Sequence, residues 1–124
     1  MTTTSNQILV AVYGTLKRGL SNFESHLSDA TFLGEWKSLP NFTMLDLGAY
    51  PGVIKGNTSV LIEVFQVNER QLTKLDILED YPHLYTRELI ETPYGKAFIY
   101  LLNIEHPDIK IREFQVISDG VWRE

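Results

Sequence analysis

An unbroken apolar run near the start of the chain, residues 8–12, most constrains the fold. Its length and its β-branched residues predict a buried strand. The run leads directly into Tyr13-Gly14-Thr15-Leu16-Lys17-Arg18-Gly19. Glycine lets the backbone approach a ligand closely, and successive backbone N–H groups in such a turn can form a concave anion site. The segment therefore predicts either an ordinary turn or an anion-binding loop with Lys17 and Arg18 beside the anion.

This segment, together with four others, resembles the γ-glutamylcyclotransferase-like family. VYGTLKRG at residues 12–19 resembles the family signature, and LDILEDYP at 75–82 followed by YTR at 85–87 resembles its LDxxEGxP…YxR block. The remaining matches are GAYPG at 48–52, EVF at 63–65 and SDGVW at 118–122, which resemble its GxYPG turn, GEVY strand and GDW motif. The resemblance extends from residue 8 to residue 122 and is greatest to the small, AIG2-like branch that acts on γ-glutamylamines.

Length and composition favour a single domain over residues 1–124. With 44% hydrophobic and 11% aromatic residues, the chain can bury a core of its own. The chain has no cysteine, which excludes disulfides, thiolate metal sites and a cysteine nucleophile. This composition favours a reducing compartment, and we expect a cytoplasmic protein.

Charge and patterning also exclude several classes of partner. A net charge of −5 argues against nucleic-acid binding, which needs clustered Lys and Arg. Residues 1–7 are polar and uncharged, unlike a signal peptide, and no apolar run is long enough to span a membrane. His26, His83 and His106 are too far apart to suggest a metal site. We expect a small-molecule substrate, no metal and no cofactor, and the oligomeric state stays open.

Apolar periodicity and turn residues predict an α+β fold. Six or seven strands are expected, drawn from the ranges 8–12, 31–37, 42–47, 58–67, 84–92, 96–103 and 114–117. Two helices are expected, one starting at Ser21 or Asn22 and one capped by Asn68 with Gln71 and running to about Glu79. Residues 51–57 predict turns and Gly34 a bulge. So many strands with short turns suggest a closed or nearly closed sheet, and the resemblance implies a small mixed β-barrel with two flanking helices.

Glu79 is the candidate catalytic residue. At about 100° per residue, Leu72, Leu75 and Glu79 fall on one stripe of the second helix, so the carboxylate follows the apolar face. Burial there, and the negative neighbour Asp80, should raise its pKa above the usual value of about 4.3. The alternative is an exposed side chain in a frayed last turn. The resemblance implies that Glu79 is the family's catalytic glutamate.

The candidate substrate-binding residues are Tyr13, Gly14, Thr15, Leu16, Tyr85 and Tyr100. Tyr85 matches the family's pocket tyrosine, and its hydroxyl could bond a substrate carboxylate or the glutamate. Tyr13 and Tyr100 each end an apolar strand and could line the same pocket. For the three loop residues, the resemblance implies backbone N–H groups that hold a carboxylate or an oxyanion.

Two nearby residues have a structural interpretation instead. Asp76 is expected to hold a backbone N–H or an arginine, and Arg87 is expected to pair with a carboxylate.

Two positions depart from the family pattern. Ile62 stands where the GEVY strand has glycine, which would narrow the pocket if that glycine makes room for substrate. Asp80 replaces the glycine that follows the catalytic glutamate, so the helix could end differently. Both departures leave the identity of the substrate open.

The resemblance implies a cyclotransferase that converts a γ-glutamyl amine or peptide into 5-oxoproline and a free amine, with Glu79 as general acid and base. An alternative is a non-catalytic module that binds or sequesters a small anionic metabolite in the same barrel. A third interpretation, an adaptor, would require a large exposed apolar patch. An inward carboxylate favours the enzyme, because a pure anion binder has little use for one.

Overall fold

The apolar run near the start of the chain forms strand β1 (Ile8–Val12), the central strand of a five-stranded sheet. The structure is a computed structural model that describes residues 8–124. The polar stretch 1–7, and the prediction that it is not a signal peptide, lie outside the described residues. Strand β1 pairs antiparallel with one neighbour and parallel with the other. A strand in this position is buried on both faces, which explains why its residues do not alternate with polar ones.

The other elements follow in short succession along the chain. Their bounds are α1 (Phe23–His26), β2 (Thr31–Lys37), β3 (Phe42–Asp46), β4 (Pro51–Lys55), β5 (Leu61–Val67), α2 (Glu69–Leu78), β6 (Tyr85–Thr92), β7 (Gly95–Leu102), α3 (Pro107–Lys110) and β8 (Gln115–Val116). The larger sheet has the order β2-β5-β1-β7-β6 and the smaller one β4-β3-β8.

The five-stranded sheet separates two apolar clusters. On one face, Ala11 of β1 packs with Met44 and Val53 of the small sheet. On the other face, Val12 of β1 packs with Leu75 of α2. The small sheet and helix α2 therefore cover opposite faces. The end of β1, the end of α2 and the start of β4 meet at the edge between these layers.

The predicted α+β class is confirmed, with a different arrangement of strands. Residues 8–124 form eight strands and three helices, and the two sheets do not close into a barrel. Strands β2 and β6 remain the edges of the large sheet. The turn between β6 and β7 reaches β2 through a side chain, because the Tyr94 hydroxyl donates to the Glu35 carbonyl at 3.3 Å. This side-chain hydrogen bond links the two edges of the large sheet, which are not joined by backbone hydrogen bonds.

Two local sequence signals have the structural effect that they predict. The Asn68–Gln71 capping box starts α2 as predicted, with hydrogen bonds of 2.7 and 2.8 Å. The strand register shifts between Phe32 and Gly34, where a bulge was expected.

Three elements differ from the prediction. Residues 51–55 form strand β4 rather than turns, since proline is tolerated as the first residue of an edge strand. Helix α1 is only one turn long, and helix α3 was not predicted. That the domain spans residues 1–124 stays a prediction.

Candidate active site

A pocket opens where β1, α2, β4, β6 and β7 come together, with a volume of about 160 Å³. All seven residues that the sequence singled out line it. They come from four separate segments of the chain: Tyr13, Gly14, Thr15 and Leu16 after β1, Glu79 after α2, Tyr85 on β6 and Tyr100 on β7. The structure therefore brings the candidate catalytic and substrate-binding residues to one place.

Glu79 reaches this pocket because it is the C-cap residue of α2. The helix buries Leu75 against the large sheet, so the residue one turn later follows the same face toward the pocket. The pocket leaves Glu79 partly accessible, but its carboxyl lies among apolar and aromatic side chains. Burial of the carboxyl raises its pKa to about 7. The rise has the predicted sign, and Asp80 is not among its causes.

Asp80 follows the C-cap of α2 and adopts the left-handed backbone conformation that glycine usually has at this position. Its φ of 49° lies in the left-handed region. The amide of Asp80 donates to the Ile77 carbonyl at 3.1 Å, and the amide of Tyr81 donates to the Asp76 carbonyl at 2.9 Å. These two bonds form a Schellman motif, so the change from glycine does not alter how the helix ends.

Three of the four tyrosines that line the pocket, Tyr13, Tyr85 and Tyr100, direct their hydroxyl protons into the protein. Tyr13 donates to the Tyr100 carbonyl, Tyr85 to the Pro51 carbonyl and Tyr100 to the Asp76 carboxylate, each at 2.7 Å. Burial raises the pKa of all three hydroxyls, and proximity to Glu79 raises each of them further. The hydroxyls are therefore neutral, and each can offer only lone pairs to a ligand. Without a ligand the Tyr85 proton is engaged by the Pro51 carbonyl, and the expectation that this hydroxyl bonds a substrate carboxylate or Glu79 stays a prediction.

Asp76 and Arg87 form the support behind Tyr100, in line with their expected structural roles. The Arg87 guanidinium donates to both Asp76 carboxylate oxygens, from Nε at 3.0 Å and from the terminal nitrogen at 3.1 Å. The Tyr100 hydroxyl shares one of these oxygens. A bidentate pair of this kind holds its geometry, which fixes the direction of the Tyr100 hydroxyl.

The loop after β1 has the free donors that an anion site needs. No atom of residues 8–124 accepts a hydrogen bond from the backbone N–H of Gly14, Thr15 or Leu16. The loop is held in place by Asn22, whose side chain donates to the Thr15 hydroxyl at 2.8 Å and whose amide donates to the Thr15 carbonyl at 2.8 Å. Three neighbouring amides with no internal acceptor suit a carboxylate or an oxyanion.

The two basic residues of the loop turn away from the pocket, contrary to expectation. Lys17 is buried and donates to the Trp122 carbonyl at 3.0 Å, and burial lowers its pKa. Arg18 pairs with the buried Glu63 through its amide at 2.8 Å and its Nε at 3.3 Å. Neither lines the pocket. Their partners are distant in sequence, so the direction of these side chains could not be predicted locally.

The pocket is also lined by residues that the sequence did not predict as site residues. Asn22, Tyr50, Leu78 and Leu84 also face the pocket. Tyr50 lies in the GAYPG match and Leu78 in the LDILEDYP match, which were usable signals, whereas nothing local distinguished Asn22 and Leu84. In contrast, Ile62 is fully buried in the core and does not line the pocket, so the expected narrowing there is not found.

The described part of the chain has neither a metal-binding cluster nor a membrane-spanning helix. Within residues 8–124, no group of three or more His, Asp or Glu side chains is placed to hold a metal ion. None of the helices in this range is both long enough and apolar enough to cross a bilayer.

Comparison with known proteins gives consistent matches over almost the whole chain. The family model described as "Gamma-glutamyl cyclotransferase, AIG2-like" matches residues 10–124. A Vibrio cholerae protein named "Putative gamma-glutamylcyclotransferase" is 45% identical over 116 residues, 94% of this chain and 96% of its own.

Solved structures agree with these sequence matches. The solution structure of Escherichia coli protein ytfP has a TM-score of 0.72 at 31% identity and covers 94% of this chain and 97% of its own. A mouse AIG2-like protein has a TM-score of 0.73 at 25% identity, with 90% and 87% coverage.

Proposed function

Because the chain belongs to the γ-glutamyl cyclotransferase, AIG2-like family, we propose that it is an enzyme that converts a γ-glutamyl amine or peptide into 5-oxoproline and the free amine. The observation that supports this most is the setting of Glu79. Its carboxyl opens to the pocket, is partly shielded from water by the surrounding side chains, and receives no hydrogen bond from any atom of residues 8–124. A carboxyl that is partly desolvated, has a raised pKa and faces a pocket without a partner favours a role toward a ligand.

The first step is proton abstraction from the substrate's α-ammonium group. A pKa of about 7 makes Glu79 a suitable base at neutral pH, because a good fraction is ionised and still basic. The lone pairs of Tyr13, Tyr85 and Tyr100 can accept the remaining N–H bonds of the amine. These hydroxyls therefore orient the nitrogen rather than the carboxylate of the substrate.

The second step closes the ring. The neutral α-nitrogen attacks the γ-carbonyl carbon, and the carbonyl oxygen gains negative charge. The unpaired amides of Gly14, Thr15 and Leu16 stabilise that oxygen or hold the α-carboxylate. Glu79 then gives its proton to the leaving nitrogen as the amide bond breaks. The ring nitrogen still carries two hydrogens after the attack, so the ionised Glu79 removes one of them and passes it to the departing amine, which leaves as an ammonium ion. The products together contain every atom of the substrate, and one carboxyl serves all of these proton transfers.

The test is release of 5-oxoproline from a panel of γ-glutamyl amines and peptides. We expect the wild-type protein to release it and Glu79→Gln to lose at least about 10²-fold in kcat, the usual contribution of a general base. Glu69→Gln, an exposed change in the first turn of the same helix, is the matched control and should keep full activity. A fully active Glu79→Gln would contradict the general-base assignment. Binding without release by the wild-type protein would favour the alternative, a module that holds a small anionic metabolite.

A further inference from the structure

Tyrosine side chains are the other titratable groups that line the pocket with Glu79. They are Tyr13 after β1, Tyr50 before β4, Tyr85 on β6 and Tyr100 on β7, and within residues 8–124 no Lys, Arg, His or second carboxyl lines the pocket. Proximity to Glu79 raises the pKa of Tyr13, Tyr85 and Tyr100, so these three hydroxyls lie near the carboxylate. None of the three donates a hydrogen bond to it, because each proton is engaged elsewhere.

The acceptors that hold these three protons are of two kinds. Tyr13 and Tyr85 donate to backbone carbonyls of strands, which accept a hydrogen bond whatever side chain their residues carry. Tyr100 donates to a side chain instead, the Asp76 carboxylate, at 2.7 Å. The direction of the Tyr100 proton is therefore the one that depends on which residue occupies a single position of the sequence.

Asp76 is itself held firmly by Arg87. The guanidinium donates to both carboxylate oxygens, and the two side chains are only 19% and 17% exposed. The guanidinium carbon lies 4.4 Å from the ring centroid of Tyr81 and 4.5 Å from that of Phe98, which fixes its position further. Neither member of this ion pair lines the pocket, so its hydrogen-bonded connection to the pocket runs through Tyr100.

We propose that Asp76 is a positioning residue for Glu79: by holding the Tyr100 proton, it denies the carboxylate a hydrogen bond that would weaken it as a base. The inference rests on the proposed function for its meaning in catalysis. A hydroxyl that donates to a carboxylate stabilises the ionised form. Without the Asp76 acceptor, Glu79 is the carboxylate that remains near the Tyr100 hydroxyl, and the proton would turn toward it. The lone pairs of Tyr100 would then no longer face a substrate amine.

Replacement of the whole ion pair tests this without a change in local net charge. Asp76→Leu together with Arg87→Met removes one negative and one positive charge, an exchange that proteins often tolerate. We expect the pH midpoint of the Glu79 titration to fall by about 1 unit or more. The midpoint is measured twice, from the carbon-13 chemical shift of the carboxyl and from the pH profile of kcat/KM. The carboxyl resonance is identified by its loss in Glu79→Gln.

A second background shows whether the effect passes through the hydroxyl. In a Tyr100→Phe background the ion-pair replacement has no proton to release, so the midpoint should change by less than about 0.3 unit. Lys55→Met with Glu88→Leu is the matched control, because it removes an exposed ion pair that does not line the pocket, and it should keep the wild-type midpoint. Should the double replacement not fold, Asp76→Leu alone is compared in the two backgrounds, since a direct effect of the unpaired Arg87 appears in both.

The outcomes separate this inference from the function on which it rests. A fall in the Glu79 midpoint that requires the Tyr100 hydroxyl supports the inference. An unchanged midpoint, or a fall of the same size in the Tyr100→Phe background, would overturn it. The carbon-13 titration needs no substrate. A wild-type protein that releases no 5-oxoproline from any γ-glutamyl compound would therefore overturn the proposed function, while the titration still decides whether Asp76 controls Glu79.

Discussion

At the scale of single residues, the site depends on where protons and unpaired groups are placed. The three tyrosine protons are committed to Tyr100, Pro51 and Asp76, so the hydroxyls present lone pairs to a ligand. Glu79 is the one carboxylate among the lining residues of the described chain, no described residue donates a hydrogen bond to it, and burial raises its pKa to about 7. The pocket groups that have no hydrogen-bond partner within the protein are therefore the ones available to a ligand.

The raised pKa of Glu79 makes folding stability depend on pH with a definite sign. A carboxyl whose pKa is higher in the folded state binds its proton more tightly there, so the protein loses stability as pH rises from about 4.5 to about 7. We expect Glu79→Gln to be more stable than wild type at pH 8 by about 1–3 kcal/mol and nearly equal at pH 4. Denaturant titrations at the two pH values measure this difference. A less stable variant at pH 8 would instead make Glu79 a structural partner.

The same pKa predicts the pH profile of turnover. The general base must be ionised, so kcat/KM should rise with unit slope and level off above an apparent pKa of about 7. Steady-state assays from pH 5 to pH 9 with a single γ-glutamyl substrate measure this profile. A midpoint of about 4.3, the usual pKa of an exposed glutamate, would show that the base is solvated in the working enzyme.

Gly14 is required for a close approach between two segments of the site. A Cβ at this position would lie 2.8 and 2.9 Å from the ring carbons of Pro51, and a proline ring cannot move aside freely. We expect Gly14→Ala to destabilise the fold by about 1–3 kcal/mol. The double variant with Pro51→Ala should recover part of that loss, because it removes the ring atoms that clash. Additive effects in denaturant titrations of the four proteins would argue against the contact.

At the scale of elements, the end of α2 decides where the carboxyl points. The capping box starts the helix at Asn68, and the Schellman motif ends it at Asp80. The ten helical residues between them span nearly three turns, which orient Leu75 toward the sheet and Glu79 toward the pocket. The left-handed conformation of Asp80 costs free energy that a glycine would not, and it keeps the same geometry.

Two substitutions at Asp80 separate backbone conformation from charge. Both Asp80→Gly and Asp80→Ala remove the carboxylate, but only glycine adopts the left-handed conformation freely. We expect the glycine variant to be more stable than the alanine variant by about 1 kcal/mol in denaturant titrations. The midpoint of the kcat/KM profile should be the same in both as in wild type, since Asp80 does not contribute to the pKa of Glu79. A lower midpoint in both variants would mean that the charge of Asp80 does act on Glu79.

At the scale of the whole molecule, the segment after β8 connects the two sheets and the loop. The Leu61 amide donates to the Gly120 carbonyl at 2.9 Å, and Lys17 donates to the Trp122 carbonyl. The Trp122 side chain is buried in the cluster that includes Met44 of the small sheet and Ile62 of the large one. The C-terminal residues therefore hold together elements that are distant in sequence.

Because of this connection, we expect truncation of the buried Trp122 to lower the stability of the protein strongly and truncation of the neighbouring, exposed Arg123 to lower it very little. Trp122→Ala opens a cavity between the sheets and should lower the free energy of unfolding by about 3–5 kcal/mol. Arg123→Ala removes an exposed pair with Asp119 and should change it by less than about 0.5 kcal/mol. Denaturant titrations of both variants measure these values. Comparable losses would mean that the segment acts through its surface contacts rather than through the core.

Much of this arrangement follows from local sequence. The apolar run, the capping box and the position of Glu79 one turn after Leu75 are patterns of a few residues, because hydrogen bonding and periodicity within one element depend on near neighbours. The placement of all seven candidate residues in one pocket agrees with motifs that resemble a known family, whereas their roles in catalysis and binding remain proposals.

Other features were decided only by the tertiary structure. Strand β4 exists because Pro51 and Gly52 pair with β3, although the same residues predict a turn in isolation. Lys17 and Arg18 bind partners that lie 105 and 45 positions away in sequence, rather than an anion at the loop. The hydroxyls of Tyr13 and Tyr85 donate to carbonyls that lie 87 and 34 positions away. Buried polar groups must find acceptors or donors wherever the packed chain provides them, and a linear pattern does not specify which distant group that will be.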